Sequence, residues 1–184
     1  MDPRECILFS GGTRGSEAEF GVQAERLDIE EVNFSFPDHP TVRTRGRREL
    51  TEAELQKGDM SLSYISGLMN RTYSETPAIR KILQTIWYQI SNGLEIYVIG
   101  RIEPDDTVKG GTGWGAELAK LSYKPLFVFD QQRDAWFAWQ RDHWKEADAP
   151  RIQQTRFTGT GTRFLEENGK KAIAGLFQRS FDPS

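Results

Sequence analysis

The chain has 184 residues, a length that suits one α/β domain with a sizeable core. Hydrophobic residues make up 37% of it, with five Trp and eleven Phe, so we expect a single folded domain over residues 1–184 rather than a disordered chain. The net charge of −3 argues against a general electrostatic attraction to nucleic acid or to an anionic membrane.

Cysteine and histidine are too few and too scattered for a metal centre. Cys6 is the single cysteine, which excludes an internal disulfide, and a small core residue is its simplest interpretation. The two histidines, His39 and His143, lie far apart in the sequence. We therefore expect neither a metal nor a cofactor. No apolar run reaches the length of a membrane span, and the first five residues lack a signal-peptide pattern, so we expect a cytoplasmic protein.

The first of three strand–glycine–helix junctions opens the chain. An apolar strand at residues 6–9 runs into a glycine-rich loop, and a helix follows in which Phe20 and Ala24 share an apolar face. Ser16 and Glu19 have the spacing of a capping box at its start. The loop has neither the ending of a Walker A motif nor the spacing of a dinucleotide-binding motif. It reads Ser10-Gly11-Gly12-Thr13-Arg14-Gly15.

The next part of the chain holds a strand and two helices. Residues 32–36 alternate like a half-buried strand, and Thr51 with Glu54 has the spacing of a capping box for a small helix. A longer helix opens at Pro77 and stops before Gly93. The apolar stripe of that helix is Ile79, Ile82, Leu83, Ile86 and Ile90.

A basic segment lies between this strand and the small helix. It is either a solvated surface paired with nearby acids or a clamp on ligand phosphates, because Arg binds a phosphate through two parallel hydrogen bonds. The loop is long for a compact domain, and such loops are often lids, so we expect at least one of its arginines to reach a ligand. The four arginines are Arg43, Arg45, Arg47 and Arg48.

The second junction is a βαβ unit in the middle of the chain. The apolar strand at residues 95–100 leads through a glycine loop to a helix at residues 115–123, and a second strand ends at Asp130. Glycines at a helix start let the backbone approach a ligand, and the free N–H groups there favour phosphate. The alternative is a tight turn that binds nothing. The loop reads Gly110-Gly111-Thr112-Gly113-Trp114.

A third junction closes the chain. A strand that starts near Arg156 ends in a loop of glycine and threonine, and a helix follows with Ile173, Leu176 and Phe177 on one face. The strand end and loop read Thr158-Gly159-Thr160-Gly161-Thr162-Arg163.

Aromatic residues cluster between the second and third junctions, where residues 135–139 read as a short edge strand. Such a cluster either stacks a nucleotide base or forms a satellite core under a loop. Its members are Trp136, Phe137, Trp139 and Trp144.

These patterns predict an α/β fold, a Rossmann-like, mostly parallel sheet of about five to seven strands with helices on both faces. Ligands of open parallel sheets collect at the carboxyl ends of the strands. All three glycine loops follow a strand at that end. The sequence therefore predicts that they line one shared crevice.

The order of these motifs resembles that of the SLOG superfamily, the Rossmann-like group that includes the LOG, DprA and YpsA proteins. In YpsA- and DprA-like chains a strand ending in a Gly-Ser/Thr-Arg loop precedes a strand ending Ser-Gly-Gly-x-x-Gly. Here the Ser10 loop comes first and the Thr158–Arg163 loop last, so the chain looks like the circularly permuted YpsA-type branch. Permutation is tolerated when the termini lie close together, so we expect the last strand, around Phe157, to lie beside or near the first, around Leu8.

The resemblance also implies a function for the second loop. The LOG pattern Gly-Gly-x-Gly-Thr-x-x-Glu matches Gly110, Gly111, Gly113 and Glu117, with Trp114 in place of the threonine. In LOG enzymes this loop holds the phosphate of a nucleoside monophosphate, and the glutamate assists cleavage of the N-glycosidic bond. Glu117 would then be catalytic. It also falls in the first turn of a helix, where a carboxylate is stabilised without any ligand.

The function we expect is binding of a nucleotide or nucleotide-derived ligand by the three glycine loops. The alternatives are a LOG-like N-glycosidase that uses Glu117 and DprA-like binding of single-stranded DNA, against which the net negative charge argues. The expected partner is a nucleotide-like small molecule, with neither nucleic acid nor membrane, and a homo-oligomer is compatible with the sequence. The expected ligand contacts are Ser10, Gly11, Gly12, Arg14, Gly110, Gly111, Thr112, Gly113, Trp114, Asp130, Thr158, Gly159, Thr160, Gly161, Thr162 and Arg163.

Overall fold

A computed structural model describes residues 1–181, in which helices pack on a single mostly parallel sheet, an α/β fold. The strands are β1 (Ile7–Ser10), β2 (Glu30–Ser35), β3 (Arg47–Glu49), β4 (Glu95–Gly100), β5 (Leu126–Asp130), β6 (Ala135–Gln140), β7 (His143–Ala147) and β8 (Arg156–Gly161). Their order across the sheet is β3-β2-β1-β8-β4-β5-β6-β7. The pairs β5–β6 and β6–β7 are antiparallel, and the other five pairs are parallel.

Helices cover both faces of this sheet, as the sequence predicted. They are α1 (Ser16–Arg26), α2 (Glu52–Leu55), α3 (Asp59–Leu68), α4 (Pro77–Asn92), α5 (Thr112–Leu121) and α6 (Glu167–Phe181). Helices α1 and α6 pack on one face, and α3, α4 and α5 pack together on the other. Because side chains alternate along a strand, β4 sends Ile96 and Val98 to one core and Tyr97 and Ile99 to the other.

The last strand lies in the centre of the sheet, next to the first. Leu8 is the direct register partner of Phe157, which confirms the expectation that the two strands are neighbours. The other edge of β8 pairs with β4. Strand β8, the last strand along the described chain, therefore joins two halves of the sheet that consist of earlier parts of the sequence.

Three details differ from the sequence predictions. The sheet has eight strands instead of five to seven, because β3 and the charged β7 also join it. Ser16 is the first residue of α1 and not its N-cap, so the predicted capping box with Glu19 is wrong. Ile79, placed in the core stripe of α4, is 49% exposed. In contrast, the capping box of Thr51 and Glu54 is confirmed.

No helix within residues 1–181 is long and apolar enough to cross a membrane.

Candidate functional site

The carboxyl ends of β1, β8 and β4 lie side by side at the centre of the sheet. From β1 the chain crosses through α1 on one face to β2, and from β4 it crosses through α5 on the other face to β5. The direction of winding therefore reverses at β8. In an open α/β sheet this reversal opens a crevice where ligands bind. The three glycine-rich loops follow these three strands, so the sheet brings them to the same edge.

The first and third loops pack directly against each other. The backbone N–H and the hydroxyl of Ser16 both donate to the carbonyl oxygen of Thr162, at 3.1 and 2.8 Å. Gly15 has a φ of +94°, and a Cβ added there would lie 2.6 Å from the Cα of Arg163. Gly15 is therefore required for close packing of the two loops. Because the N–H of Ser16 at the start of α1 already donates to the carbonyl oxygen of Thr162, it is not available to bind an anion.

A buried carboxylate, that of Glu17, sits between these two loops and is 5% exposed. It accepts hydrogen bonds from the backbone N–H and hydroxyl of Thr13 and, at 3.0 Å, from the hydroxyl of Thr160. A Cβ added at Gly11 would lie 2.8 Å from this carboxylate and 2.6 Å from Nε2 of Gln89. Gly11 thus makes room for two polar side chains of the protein itself.

The remaining glycines of the third loop serve packing as well. A Cβ at Gly159 would lie 2.4 Å from the ring of Phe20 in α1, and one at Gly161 would lie 2.4 Å from the carbonyl oxygen of Ile99 in β4. Thr158 and Ser10 are buried, and their hydroxyls donate to backbone carbonyls. These positions bring a helix and a neighbouring strand close to β8.

The basic segment covers the first loop. The backbone N–H groups of Val42 and Arg43 donate to the carbonyl oxygen of Gly12, at 2.9 and 3.1 Å. The guanidinium groups of the segment, however, bond carboxylates. Their pairs are Arg43 with Glu25 and Glu31, Arg45 with Glu31, Arg47 with Glu49, and Arg48 with Glu54. This pairing favours the interpretation of an arginine surface paired with acids over that of a phosphate clamp.

The second loop has a different character, because two of its glycines face open space. A Cβ added at Gly110 or at Gly111 would meet no atom within 4 Å. Gly110 has a φ of +70°, whereas Gly111 has the ordinary helical φ of −59°. Gly113, by contrast, is enclosed, since a Cβ there would lie 2.1 Å from the carbonyl oxygen of Val108. Only the first two glycines of this loop leave the backbone open to a ligand.

The side chain of Arg71 holds the second loop in shape. One nitrogen, Nη1, donates to the carbonyl oxygens of Val108 and Gly110, at 3.1 and 3.0 Å. The other, Nη2, donates to the hydroxyl of Thr107 at 2.9 Å. A guanidinium carries five N–H donors, so these bonds leave donor capacity beside the open glycines.

Helix α5 begins earlier than predicted, at Thr112 instead of Gly115. Thr112, Gly113 and Trp114 therefore belong to its first turn. Trp114 is 5% exposed and packs against the ring of Tyr73, with the ring centroids 5.8 Å apart. Tyr73 is itself half-buried and donates to the carboxylate of Asp59, and both effects raise the pKa of its hydroxyl. The indole ring is thus part of the core and not of an open loop.

The carboxylate of Glu117 pairs with Lys120 at 2.7 Å, and both side chains are 11% exposed. The ammonium group of Lys120 lies 3.9 Å from the ring centroid of Trp139 and 5.1 Å from that of Trp144. It also donates to the carbonyl oxygen of Asp106. Trp139 and Trp144 therefore pack around a lysine, whereas Trp136 belongs to the core on the other face of the sheet.

Asp130 is almost completely buried and ties two backbone segments together. Its carboxylate accepts the N–H groups of Ile102, Gln132 and Arg133, at 3.0, 2.9 and 3.1 Å. The side chain of Arg133 adds an ion pair at 3.0 Å. This carboxylate fixes the turn after β5 against the turn after β4.

The predicted site residues thus fall into two groups. Gly110 and Gly111 are open, and Arg14 and Arg163 have exposed side chains at the first and third loops. The others are buried or serve packing within the protein. Three polar side chains of the site, Glu17, Gln89 and Arg71, were not predicted. Glu17 follows a glycine loop by two residues, which is a usable signal, whereas Gln89 and Arg71 come from distant parts of the chain.

The chain matched none of the protein-family models, curated proteins or solved structures with which it was compared. Within residues 1–181 no group of His, Cys, Asp and Glu side chains is arranged to hold a metal ion.

Proposed function

We propose that the protein binds a nucleotide or a nucleotide-derived ligand at the carboxyl edge of its sheet, with a phosphate at the start of α5. The observation that carries this proposal is the pair of open glycines, Gly110 and Gly111, directly before that helix. A bulky ligand group can approach the backbone there without meeting a side chain.

The chemistry of this position favours an anion. In the first turn of α5 the N–H groups of Gly113 and Trp114 donate to the carbonyl oxygens of Gly110 and Gly111, so the N–H of Thr112 remains for an anion. The helix dipole places partial positive charge at the same end. Arg71 adds a full positive charge, since its guanidinium bonds the carbonyl oxygen of Gly110 at 3.0 Å. A phosphate would therefore meet a backbone donor and a guanidinium together.

Binding rather than hydrolysis is the proposed activity. The carboxylate of Glu117, the catalytic residue that the SLOG resemblance implies, is 11% exposed and paired with Lys120, whose ammonium group lies over the ring of Trp139. Binding of single-stranded DNA finds no support either, because the four arginines of the basic segment bond carboxylates.

The proposal is tested by calorimetric titration with adenosine and guanosine mono-, di- and triphosphates, a dinucleotide and inorganic phosphate. At least one nucleotide should bind more tightly than inorganic phosphate. Chromatography of the same mixtures after incubation separates binding from cleavage, because cleavage would release free base and ribose phosphate. A protein that binds none of these nucleotides would overturn the proposal.

Gly111→Val should remove ligand binding and leave the fold intact. The backbone of Gly111 already has helical angles and faces open space, and valine has no worse a helix propensity than glycine, so the stability should change by less than about 1 kcal/mol. It would, however, occupy the approach of a phosphate, and affinity should fall by at least about tenfold. Calorimetry measures the affinity, and thermal unfolding checks the fold.

Gly113→Ala is the contrasting variant, because its Cβ would lie 2.1 Å from the carbonyl oxygen of Val108. It should lower the melting temperature, which Gly111→Val should not. Wild-type affinity in a folded Gly111→Val protein would exclude the second loop as the ligand site.

A further inference from the structure

The loop after β8 presents an aromatic ring to solvent at the carboxyl edge of the sheet. Phe164 is 70% exposed, whereas the next residue, Leu165, packs against the core that lies under α1 and α6. The chain therefore buries one apolar side chain of this pair and leaves the larger one in water. Because burial of a phenylalanine stabilises a fold, the exposure of Phe164 gives up stability that the same loop obtains from Leu165.

The backbone of Phe164 is held on both sides. Its N–H donates to the hydroxyl of Thr162 at 3.1 Å, and its carbonyl oxygen accepts from Nε2 of Gln131 at 3.2 Å. The other end of the same amide, Oε1 of Gln131, accepts the N–H of Glu166 at 2.8 Å. One glutamine from the turn after β5 thus fixes the loop at two points. A ligand that contacts Phe164 would not have to order the loop first, which favours binding.

The same glutamine connects Phe164 with the start of α5. The backbone N–H of Gln131 donates to the carbonyl oxygen of Gly100, the last residue of β4, at 3.0 Å. A Cβ added at Gly100 would lie 3.6 Å from Cγ2 of Thr112, the residue whose N–H remains for an anion. Two residues in contact, Gly100 and Gln131, therefore separate the ring from the proposed phosphate position. A separation of this kind is on the scale of one nucleotide.

The surroundings of the ring favour a nucleobase over an apolar partner. The guanidinium of Arg163 lies over the ring of Phe164, 4.8 Å from its centroid, and Glu166 follows two residues later. An apolar protein surface would have to cover these charged neighbours, which is costly. A base needs only the face of one ring, and an arginine beside that ring strengthens the stack.

We propose that the base of the bound nucleotide stacks on Phe164 while its phosphate binds at Thr112. This inference rests on the proposed nucleotide binding and adds the residue that recognises the base. Stacking reads the flat face of a base and not its hydrogen-bonding edge. Adenine and guanine nucleotides should therefore bind with similar affinities.

Calorimetric titration of Phe164→Ala with adenosine and guanosine phosphates tests the proposal, with ribose 5-phosphate as the probe that lacks a base. The nucleotide affinity should fall by at least about fivefold, because the stacking ring is lost. The affinity for ribose 5-phosphate should stay at the wild-type value. Phe164→Tyr keeps the ring and should bind nucleotides like the wild type.

Tyr123→Ala is the matched control. Tyr123 is 95% exposed and precedes β5, at the opposite edge of the sheet, so its removal should change no affinity. Thermal unfolding of Phe164→Ala should match that of the wild type, because most of the removed ring lies in solvent.

Three results would overturn the inference, and they separate it from the proposed function. If Gly111→Val removes nucleotide binding but Phe164→Ala leaves it unchanged, the stacking is refuted and the phosphate position stands. If Phe164→Ala weakens ribose 5-phosphate as much as the nucleotides, the ring shapes the loop and does not stack a base. A wild-type protein that binds no nucleotide overturns both proposals together.

Discussion

Glu31→Ala should lower the free energy of unfolding by about 3–5 kcal/mol, the range measured when one partner of a buried ion pair is removed. The carboxylate of Glu31 is fully buried and accepts bonds from Arg43 at 2.7 Å, Arg45 at 3.0 Å and the amide of Asn33 at 3.1 Å. Its removal leaves the largely buried guanidinium of Arg43 with one carboxylate partner within residues 1–181, the exposed Glu25. Chemical denaturation measures the loss.

Glu49→Ala is the control for this experiment. Glu49 also pairs with an arginine, Arg47, but its side chain is 53% exposed, so its removal should cost no more than about 1 kcal/mol. The double variant Glu31→Ala/Arg43→Ala should lose less than the sum of its single variants, because the buried charge leaves with its partner. Equal costs for Glu31→Ala and Glu49→Ala would contradict the burial argument.

His39→Phe should remove a pH dependence of stability worth roughly 3 kcal/mol between pH 6.5 and pH 4. Burial, together with the positive charge of Arg47, lowers the pKa of His39 from 6.5 to about 4. The unfolded chain therefore binds a proton in this window that the folded protein does not. The contribution of neutral His39 to the free energy of unfolding is therefore fully present above pH 6.5, and it is lost as the pH falls from 6.5 towards 4.

The variant should also be at least as stable as the wild type at pH 7. Both ring nitrogens of His39 are buried and lack a hydrogen-bond partner within residues 1–181. The imidazole stacks on the ring of Phe36, with the ring centroids 4.5 Å apart. A phenylalanine ring therefore fits the site without leaving polar atoms unsatisfied. His143→Asn serves as the control, because the side chain of His143 is 59% exposed. Denaturation of both variants at several pH values gives, for each, the slope of the free energy of unfolding against pH. If His39→Phe keeps the wild-type slope, the buried imidazole is not its source.

The fold was largely predictable because its main signals are local. Apolar runs such as that of β4 and proline at the start of α4 identify elements without tertiary information. The pairing of Leu8 with Phe157, in contrast, was expected from the resemblance of the motif order to a permuted SLOG chain and not from a local signal. Helix α3 was not predicted because its exposed face is apolar as well as its buried face. Its sequence therefore lacks the contrast between an apolar and a polar face that marks an amphipathic helix. Strand β7 was missed because three of its five residues are His, Lys and Glu.

The site was less predictable, because a glycine in the sequence does not reveal what approaches it. Gly15 and Gly159 have the same local pattern as Gly110, yet they make room for the protein's own backbone and for the ring of Phe20. The approaching groups come from residues more than a hundred positions away along the chain. Similarly, the arginines of the basic segment could be counted, but their pairing with Glu31 depends on how the segment crosses β2.

The central position of β8 has a consequence for how the protein is made. Strands β1 and β4 have no partner in common until β8 lies between them, and β8 is synthesised after all the other strands of residues 1–181. Before that moment the nascent chain holds two separate half-sheets, each with an unpaired inner edge of the kind that invites pairing with other chains. Insertion of the final strand closes both edges in one step. Completion of the fold therefore waits for β8, and a chain that ends before β8 should aggregate rather than persist as a smaller domain.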